Sequence, residues 1–342
     1  MEIPFELEYR EKYYALLDKI FDSNFLSEGK MVESLEDRFS KFIGIPCLAV
    51  TNGGTGLLSI FEYLSVKDKD IIIPANTFWA TAVAAKRAGA RVIYADCNKE
   101  DLCLSFDDMK KKITKNTKAV VVVHIGGHIS FEIEEIAKFC RERDIYLVED
   151  CAHVHGGSWN GKTGGDWGFA GSYSFYATKT MPMGDGGIVC SKDEDFLEWL
   201  SYYRNYGKKI VGGKVTYKMQ DGFNFRMNEV TAALGLVQLE RLPMVLEWKR
   251  KLAAQFDQIF ERRIKLPKDM ISGYYKYIVF DYDLKVETGK VFAQTDFGPE
   301  IENIDYDLPN SSLIAEHHRC VPIWYGWEHA HKSVREMSDF LT

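Results

Sequence analysis

The feature that most constrains the fold is a repeated alternation of short apolar runs with amphipathic segments, beginning near residue 30. Runs such as DIIIPANTF, KAVVVVHIGG and IYLVED are rich in Ile, Val and Leu, and segments of helical period separate them. Because strands that lack polar alternation are buried on both faces, this order predicts a parallel sheet covered by helices. Ligands of such sheets bind beyond the carboxyl ends of the strands, so the residues after each run are candidate site residues.

The character of the sequence changes near Met227. MNEVTAALGLVQLERL and LEWKRKLAAQFDQIFERR predict two helices flanking Pro243, and strands are predicted in YYKYIVFDYDL and KVFAQTDF. Upstream, SFEIEEIAKFCRERD predicts a helix with Ser130 as its N-cap. We therefore predict a large domain over residues 1–240, including an N-terminal helical segment, and a small C-terminal α/β domain over residues 241–342.

Composition narrows the class of protein and its compartment. The 342 residues carry a net charge of -7, which opposes a nucleic-acid partner because a phosphate backbone requires a basic face. The seven cysteines are odd in number and form no C-x-x-C pair, which is typical of reduced thiols in a cytoplasmic protein. The N-terminus lacks the apolar core of a signal peptide and the longest apolar runs are too short to span a bilayer, so we expect no membrane association.

One lysine stands in unusual surroundings. In GSYSFYATKTMPMGDGG, Lys179 follows a predicted strand, is flanked by apolar and small residues, and precedes a glycine-rich turn. A strand-end lysine that extends its amine into water is the commoner arrangement. A desolvated lysine instead loses its proton more easily and suits Schiff-base chemistry with a carbonyl.

Further residues at strand ends favour the second interpretation. Asp150 ends the run IYLVED, and a carboxylate there could pair with the pyridinium nitrogen of pyridoxal phosphate. The glycines of TNGGTG, between a strand and a helix, would let a phosphate approach the helix N-terminus, and Ser174 could add a hydroxyl. Phe78 could stack on the cofactor ring or belong to the core.

Four segments of the chain resemble, in order and spacing, the motifs of the DegT/DnrJ/StrS-type sugar aminotransferase family, over about residues 20 to 250. They are PANTFWATAVAAKRAGARVIYAD, VEDCAHVHGG, GSYSFYATKTMPMGDGGIV and DGFNFRMNEVTAALGLVQLERL. The resemblance implies an α/β, aspartate-aminotransferase-like fold (PLP fold type I), with a mostly parallel sheet between helices in the large domain. It also implies pyridoxal 5'-phosphate as cofactor and a homodimer with shared active sites.

The resemblance assigns roles to individual positions. Lys179 matches the family's Schiff-base lysine and general base, and Asp150 matches the partner of the pyridine nitrogen. Phe78 falls at the position that stacks on the ring, and Ser174 at the phosphate-binding serine. Asn224 matches an asparagine that reaches the phosphate from the other subunit.

Some positions depart from the family pattern. Gly54 stands where a Thr or Ser is usual and Thr55 follows one residue later, so we expect backbone N–H groups of Gly53, Gly54 and Thr55 to hold the phosphate. His153 replaces a commoner Gln as the expected partner of the cofactor's phenolic oxygen, and it could also titrate. Lys179 is retained, whereas some members of the family carry His there and act as dehydratases.

The implied reaction is a transamination in two half-reactions. Glutamate would convert the cofactor to pyridoxamine 5'-phosphate, which would then aminate a keto sugar, expected to be nucleotide-linked. Such a step belongs to amino-sugar biosynthesis for a surface polysaccharide or a natural product. Arg226 is a candidate substrate contact or a salt bridge across the dimer, and Tyr325 could line the sugar or cover the core.

Two alternatives stay open on the sequence alone. A metal-dependent hydrolase could use Asp150 with several histidine pairs, although these need not converge and we expect no metal. The pairs are His124/His128, His153/His155, His317/His318 and His329/His331. A non-catalytic regulatory member of the same fold is the second alternative, and the retained Lys179 and Asp150 argue against it.

Overall fold

The computed structural model describes residues 5–211, 214–285, 288–291 and 307–326. Its described helices are α1 (Leu7–Ser23), α2 (Lys30–Ile43), α3 (Gly53–Tyr63), α4 (Ala80–Arg87), α5 (Phe106–Lys112), α6 (Ile133–Arg141), α7 (Glu194–Tyr203), α8 (Glu229–Ile259) and α9 (Pro309–His317). Its described strands are β1 (Cys47–Val50), β2 (Asp70–Pro74), β3 (Arg91–Ala95), β4 (Thr117–Val123), β5 (Tyr146–Asp150), β6 (Ser158–Trp159), β7 (Lys162–Thr163), β8 (Ala170–Ser174), β9 (Gly187–Ser191), β10 (Lys208–Val211), β11 (Lys214–Tyr217), β12 (Tyr277–Phe280) and β13 (His318–Val321). Within these residues, no helix combines the length and apolarity needed to span a bilayer.

A seven-stranded sheet in the order β1-β9-β8-β5-β4-β2-β3 forms the centre of the molecule. The neighbours from β8 to β3 are parallel, and β9 is antiparallel to both β8 and β1. Successive residues of the central strands face opposite core layers: Val120 belongs to the cluster that includes residues of α2, α6 and α8, and Val121 belongs to the cluster that includes residues of α3, α4 and α7. The predicted mostly parallel sheet between helices is therefore confirmed.

The prediction of two helices flanking Pro243 is wrong, because α8 continues through the proline. Proline removes one backbone donor and kinks or breaks a helix, but packing of both halves can keep the helix continuous. Here Leu242 and Leu246 pack under the central sheet, and Phe256 packs in a separate C-terminal cluster. The domain boundary after residue 240, which α8 crosses, stays a prediction.

The C-terminal part contains a small antiparallel pair, β12 with β13. Its apolar side chains join Phe256 and Phe260 of the α8 end in a third core cluster. The strand predicted in YYKYIVFDYDL is confirmed over Tyr277–Phe280. Most of the strand predicted in KVFAQTDF lies outside the described residues.

Ser130 is not the N-cap of α6, contrary to the sequence-based prediction. The helix begins at Ile133 after Glu132, which makes no side-chain cap. The Ser130 N–H donates to His124 Nδ1 at 3.1 Å, and the Phe131 N–H donates to an Asp101 carboxylate oxygen at 2.6 Å. These two bonds hold the preceding residues in a loop and delay the start of the helix.

The carboxylate of Glu229, the first residue of α8, joins two helices. It accepts hydrogen bonds from the N–H groups of Gly29, Met31 and Val32 at 2.9–3.0 Å. The N-terminus of α2 has no side-chain cap of its own, so this buried carboxylate satisfies donors that the helix would otherwise leave unpaired.

We expect Glu229→Ala to lower the free energy of unfolding by about 2–4 kcal/mol, because three N–H groups lose a charged acceptor. Glu240→Ala on the same helix is the matched control: its carboxylate is half-exposed and pairs with Lys12, so it should change stability by less than about 1 kcal/mol. Urea unfolding followed by circular dichroism measures both. Equal losses in the two variants would contradict the capping role.

Candidate active site

The carboxyl ends of β5 and β8 meet the N-terminus of α3 at one edge of the sheet. Asp150 pairs in register with Ser172, and Ser174 ends β8 two residues later. The Ser172 hydroxyl donates to the Gly53 carbonyl at 2.8 Å. A Cβ on Gly53 would lie 2.9 Å from the Ser174 Cβ, so only glycine allows the helix to start this close to the strand.

In the first turn of α3, the Thr55 hydroxyl already takes part in a capping box with Asn52. The Asn52 side chain accepts from the Thr55 N–H at 2.9 Å, and the Thr55 hydroxyl donates to the Asn52 carbonyl at 2.8 Å. An anion at this helix end would therefore meet the N–H groups of Gly53 and Gly54 and the helix dipole rather than the Thr55 hydroxyl.

Asp150 is a buried carboxylate held from two directions. The Thr81 hydroxyl of α4 donates to one oxygen at 2.9 Å, and the Ala152 N–H donates to the other at 3.1 Å. The Thr81 hydroxyl also lies 2.9 Å from that of Thr77, in the loop before α4. These bonds fix the direction of the carboxylate at the strand end.

Lys179 lies in the turn after β8, half-buried, with its ammonium 4.8 Å from the ring centre of Tyr275. Burial lowers its pKa to about 8; the Asp150 carboxylate opposes this shift and the Lys276 ammonium adds to it. The amine is therefore desolvated, and it lies close enough to Asp150 for the negative charge of the carboxylate to act on the pKa of Lys179. A substantial neutral fraction at pH 7 to 8 makes it a competent base or nucleophile.

His153 stacks on Tyr275, with ring centres 4.1 Å apart and planes at 23°. Burial, reinforced by the Lys179 charge, lowers the pKa of His153 well below its usual range. The imidazole is therefore neutral, and within the described residues its buried Nδ1 has no hydrogen-bond partner. A buried nitrogen in this state is available to a bound group.

Phe78 is not a core residue, which settles one of the alternatives left open by the sequence. Its side chain is 68% exposed in the loop between β2 and α4, and its neighbour Trp79 is 50% exposed. The two rings meet edge to face, with centres 6.4 Å apart. The Phe78 ring is thus free to contact a ligand or another subunit.

Asn224 and Arg226 lie on the segment before α8. Asn224 is exposed, and its backbone forms a bridge to Asn205. Arg226 donates to the Asn205 side chain, and its Nε lies 3.7 Å from a Glu28 carboxylate oxygen. Asn205 and Glu28 therefore hold the Arg226 side chain, and its role as a substrate contact or as a salt bridge across the dimer stays a prediction.

A cavity of about 410 Å³ opens beside Lys179. Its walls come from the turn after β8, from α8, and from the segments around β12 and β13, with Lys249, Tyr275, Lys276, Trp324 and Tyr325 among the lining residues. Tyr325 thus faces a cavity rather than the core. Trp327, a further aromatic residue two positions after Tyr325 in the sequence, lies outside the described residues, as do His329 and His331.

Sequence reasoning missed Lys249, Tyr275 and Lys276, because no motif links them to Lys179. A signal was available for Lys249, which follows Val245 and precedes Leu252 at helical spacing on the apolar face of α8. A lysine on such a face is rarely buried without a function or a partner. Tyr275 and Lys276 carry no comparable signal.

Among the described residues, no cluster of possible metal ligands contains both members of a proposed histidine pair. Two clusters of three ligand types occur, Asp101/Cys103/His128 and His124/Glu149/Cys151, and neither contains Asp150, His153 or His155. Hydrogen bonds occupy their acceptors: Glu149 accepts three backbone N–H groups besides its contact with His124. The metal-hydrolase interpretation is therefore not favoured.

A helix end open to an anion, a buried carboxylate, a desolvated amine and an unpartnered imidazole nitrogen converge at one edge of the sheet. This set fits the charge and shape of pyridoxal 5'-phosphate and, with the sheet topology, defines an enzyme of the aspartate-aminotransferase fold. The chain belongs to the DegT/DnrJ/EryC1/StrS aminotransferase family, whose pattern matches residues 8–280. Enzymes of this family depend on pyridoxal phosphate, and the chain is accordingly a sugar aminotransferase by family.

Several known proteins are similar to the chain. GDP-perosamine synthase of Vibrio cholerae is 33% identical over 72% of this chain and 67% of its own length. The dTDP-3-amino-3,4,6-trideoxy-alpha-D-glucose transaminase of Micromonospora megalomicea is 32% identical over 73% of this chain and 67% of its own length. The crystal structure of the aminotransferase TlmJ from Streptoalloteichus hindustanus superposes with a TM-score of 0.83, at 28% identity, over 92% of this chain and 90% of that one.

We expect Lys249→Met to stabilise the purified protein more at pH 7 than at pH 10. Burial lowers the pKa of Lys249 to about 7 in the folded chain, whereas an unfolded lysine has a pKa of about 10.4. Between these values the unfolded chain binds more protons, so the destabilisation by Lys249 is complete below pH 7 and fades as pH rises toward 10.

Thermal unfolding of the variant and the wild type across this pH range measures the difference. Lys251→Met, two residues away on the exposed face and paired with Glu247, is the control and should show no such trend. A gain for Lys249→Met that does not depend on pH would contradict the lowered pKa.

Proposed function

We propose that the protein transfers an amino group from glutamate to the keto group of a nucleotide-linked sugar. The observation that carries the proposal is the desolvated Lys179 amine in the turn after β8, where the charge of the Asp150 carboxylate acts on it. The names of the similar proteins describe amino-sugar formation on GDP- and dTDP-linked sugars, which supports this substrate class.

We propose the following roles for residues of this chain. When bound, the cofactor supplies an electron sink for charge that develops on the substrate carbon. Asp150, oriented by Thr81, would hold the proton of the pyridine nitrogen. Lys179 would move a proton between the substrate carbon and its own Nζ, because its lowered pKa leaves the amine able to accept one near neutral pH.

Other residues would hold the cofactor in place. The N–H groups of Gly53 and Gly54 and the Ser174 hydroxyl would bind its phosphate at the N-terminus of α3, whereas the Thr55 N–H, also expected from the sequence to bind it, already donates to Asn52. The neutral His153, with its orientation set by Tyr275, would donate to the phenolic oxygen. The exposed Phe78 ring would cover the cofactor face and exclude water.

A lysine at position 179 favours transamination over dehydration. A neutral primary amine can condense with a carbonyl and can also shuttle protons, whereas the histidine found in dehydratases of the family has no primary amine and cannot form an imine. The same retained amine and the retained Asp150 oppose a regulatory protein without catalysis. We include Arg226 in this proposal as a positioning residue for the segment that carries Asn224, rather than as a substrate contact.

We also propose a homodimer with shared active sites. Large apolar side chains are exposed around the site, which is typical of an interface. They include Phe25, Leu26, Trp79, Tyr206 and Phe223, together with Ile210 and Val215 of the β10–β11 hairpin. Asn224 lies within this surface and would reach the partner's phosphate site. We place the enzyme in the cytoplasm because its seven cysteines are free, buried thiols.

Lys179→Ala should reduce glutamate-dependent turnover by at least about a thousandfold, because one side chain provides both the covalent anchor and the base. The measurement is the loss of the cofactor's visible absorbance on adding glutamate, together with 2-oxoglutarate release. Lys41→Ala, an exposed lysine paired with Asp37, is the control and should keep the wild-type rate. Turnover of Lys179→Ala near the control would refute the proposed role.

Asn224→Ala should weaken cofactor binding and lower activity through the partner's site. Mixing and re-equilibrating it with Lys179→Ala should recover about a quarter of the wild-type activity, because mixed dimers rebuild one intact site. Sedimentation analysis checks that dimers form. No recovery in mixtures that contain mixed dimers would show that both residues act within one chain.

A further inference from the structure

The cavity beside Lys179 has an unbalanced charge. Its described lining contains four basic side chains, Lys179, Arg241, Lys249 and Lys276, and no acidic one. The volume of about 410 Å³ is in the range of small-molecule sites. A cavity of this charge selects anions, because an anion recovers electrostatic energy that the lysines lose by burial.

In two of these lysines, Lys249 and Lys276, the ammonium group donates to backbone carbonyls rather than to a carboxylate. The buried Lys249 donates to the Tyr274 carbonyl at 2.9 Å, and Lys276 donates to the Thr288 and Gly289 carbonyls at 3.0 and 3.1 Å. Within the described part of the chain, neither forms an ion pair with an acidic side chain. An ammonium has three donors, so Lys249 keeps two and Lys276 keeps one for a ligand.

Arg241 differs from the two lysines, although it lines the same cavity. Its Nε lies 2.8 Å from a Glu6 carboxylate oxygen, so much of its charge is already balanced. The excess positive charge of the cavity therefore rests mainly on the lysines. Burial and the charge of Lys276 lower the pKa of Lys249 to about 7, and an anion between them would reverse this shift.

The position of the two lysines relative to Lys179 suits a group on the substrate. The Tyr275 ring is shared: its centre is 4.8 Å from the Lys179 ammonium and 5.6 Å from the Lys276 ammonium. A substrate whose reacting carbon lies at Lys179 would extend past this ring. Both proposed substrates carry anionic oxygens a few bonds from the reacting carbon: glutamate has carboxylates, and a nucleotide-linked sugar has a diphosphate.

We propose that Lys249 and Lys276 form an anion subsite that holds a carboxylate or phosphate group of the substrate while its reacting carbon lies at Lys179. This inference rests on the proposed function and adds to it the residues that recognise the substrate's charge. Because the two half-reactions use one site in turn, the same pair of ammonium groups can serve either substrate.

The test uses equilibrium binding of two unreactive probes, glutarate and inorganic diphosphate, to the cofactor-loaded enzyme by calorimetry at pH 7. Loading the cofactor fills the phosphate site at α3, so that the probes report on the cavity. Lys249→Met and Lys276→Met should each weaken at least one probe by about tenfold or more. Lys249→Arg and Lys276→Arg should retain most of the affinity, and Lys251→Met should retain all of it.

The pattern of losses identifies the substrate group. Loss of glutarate binding alone assigns the subsite to the amino donor's carboxylate, loss of diphosphate binding alone assigns it to the nucleotide sugar, and loss of both assigns it to both. The inference is overturned if the wild type binds neither probe, or if both methionine variants, folded by their thermal unfolding, bind both probes as the wild type does.

Failure of the subsite and failure of the proposed function give different results. If the wild-type enzyme releases 2-oxoglutarate from glutamate but the methionine variants bind the probes normally, only the subsite is overturned. Wild-type enzyme that releases none, although it binds its cofactor, contradicts the proposed function whatever the probes show.

Discussion

The interaction on which the site depends is the burial of Glu149, next to Asp150 at the end of β5. Its oxygens accept three backbone N–H groups of residues 165, 167 and 168 at 2.7–2.8 Å and contact His124 Nε2 at 2.9 Å. A carboxylate with this many donors can stay in the core without a charged partner. It holds the connection from β5 to β8, and because side chains alternate along a strand, it leaves Asp150 directed to the other face.

With that connection held, the pKa of Lys179 depends on the opposing effects of one carboxylate and of burial beside other amines. Asp150 favours the charged form of Lys179, while burial and Lys276 favour the neutral form, and the resulting pKa of Lys179 is about 8. Thr81 on α4 holds the Asp150 carboxylate, whereas Lys249 lies on α8 and Lys276 directly precedes β12. Movement of the C-terminal part relative to the sheet would therefore change the reactivity of Lys179.

The sequence predicted the sheet, the order of strands and helices, and the edge at which the candidate residues gather, because these follow from local period and glycine position. It failed where a distant contact overrides a local rule. Pro243 lies inside a helix because packing holds both halves of α8, and α6 begins three residues after Ser130 because bonds to His124 and Asp101 hold the residues before it in a loop. Phe78 could not be assigned, because exposure is a property of the folded surface.

By itself the sequence determined the fold class, the family, the cofactor, and the candidate roles of Lys179 and Asp150, because the residues that indicate them lie in contiguous motifs. Only the tertiary structure decided the charge of the cavity, because Lys249 and Lys276 come from separate segments and meet only when α8 and β12 pack together. The lowered pKa values arise there too, since burial and the approach of like charges are consequences of packing and do not exist in an extended chain.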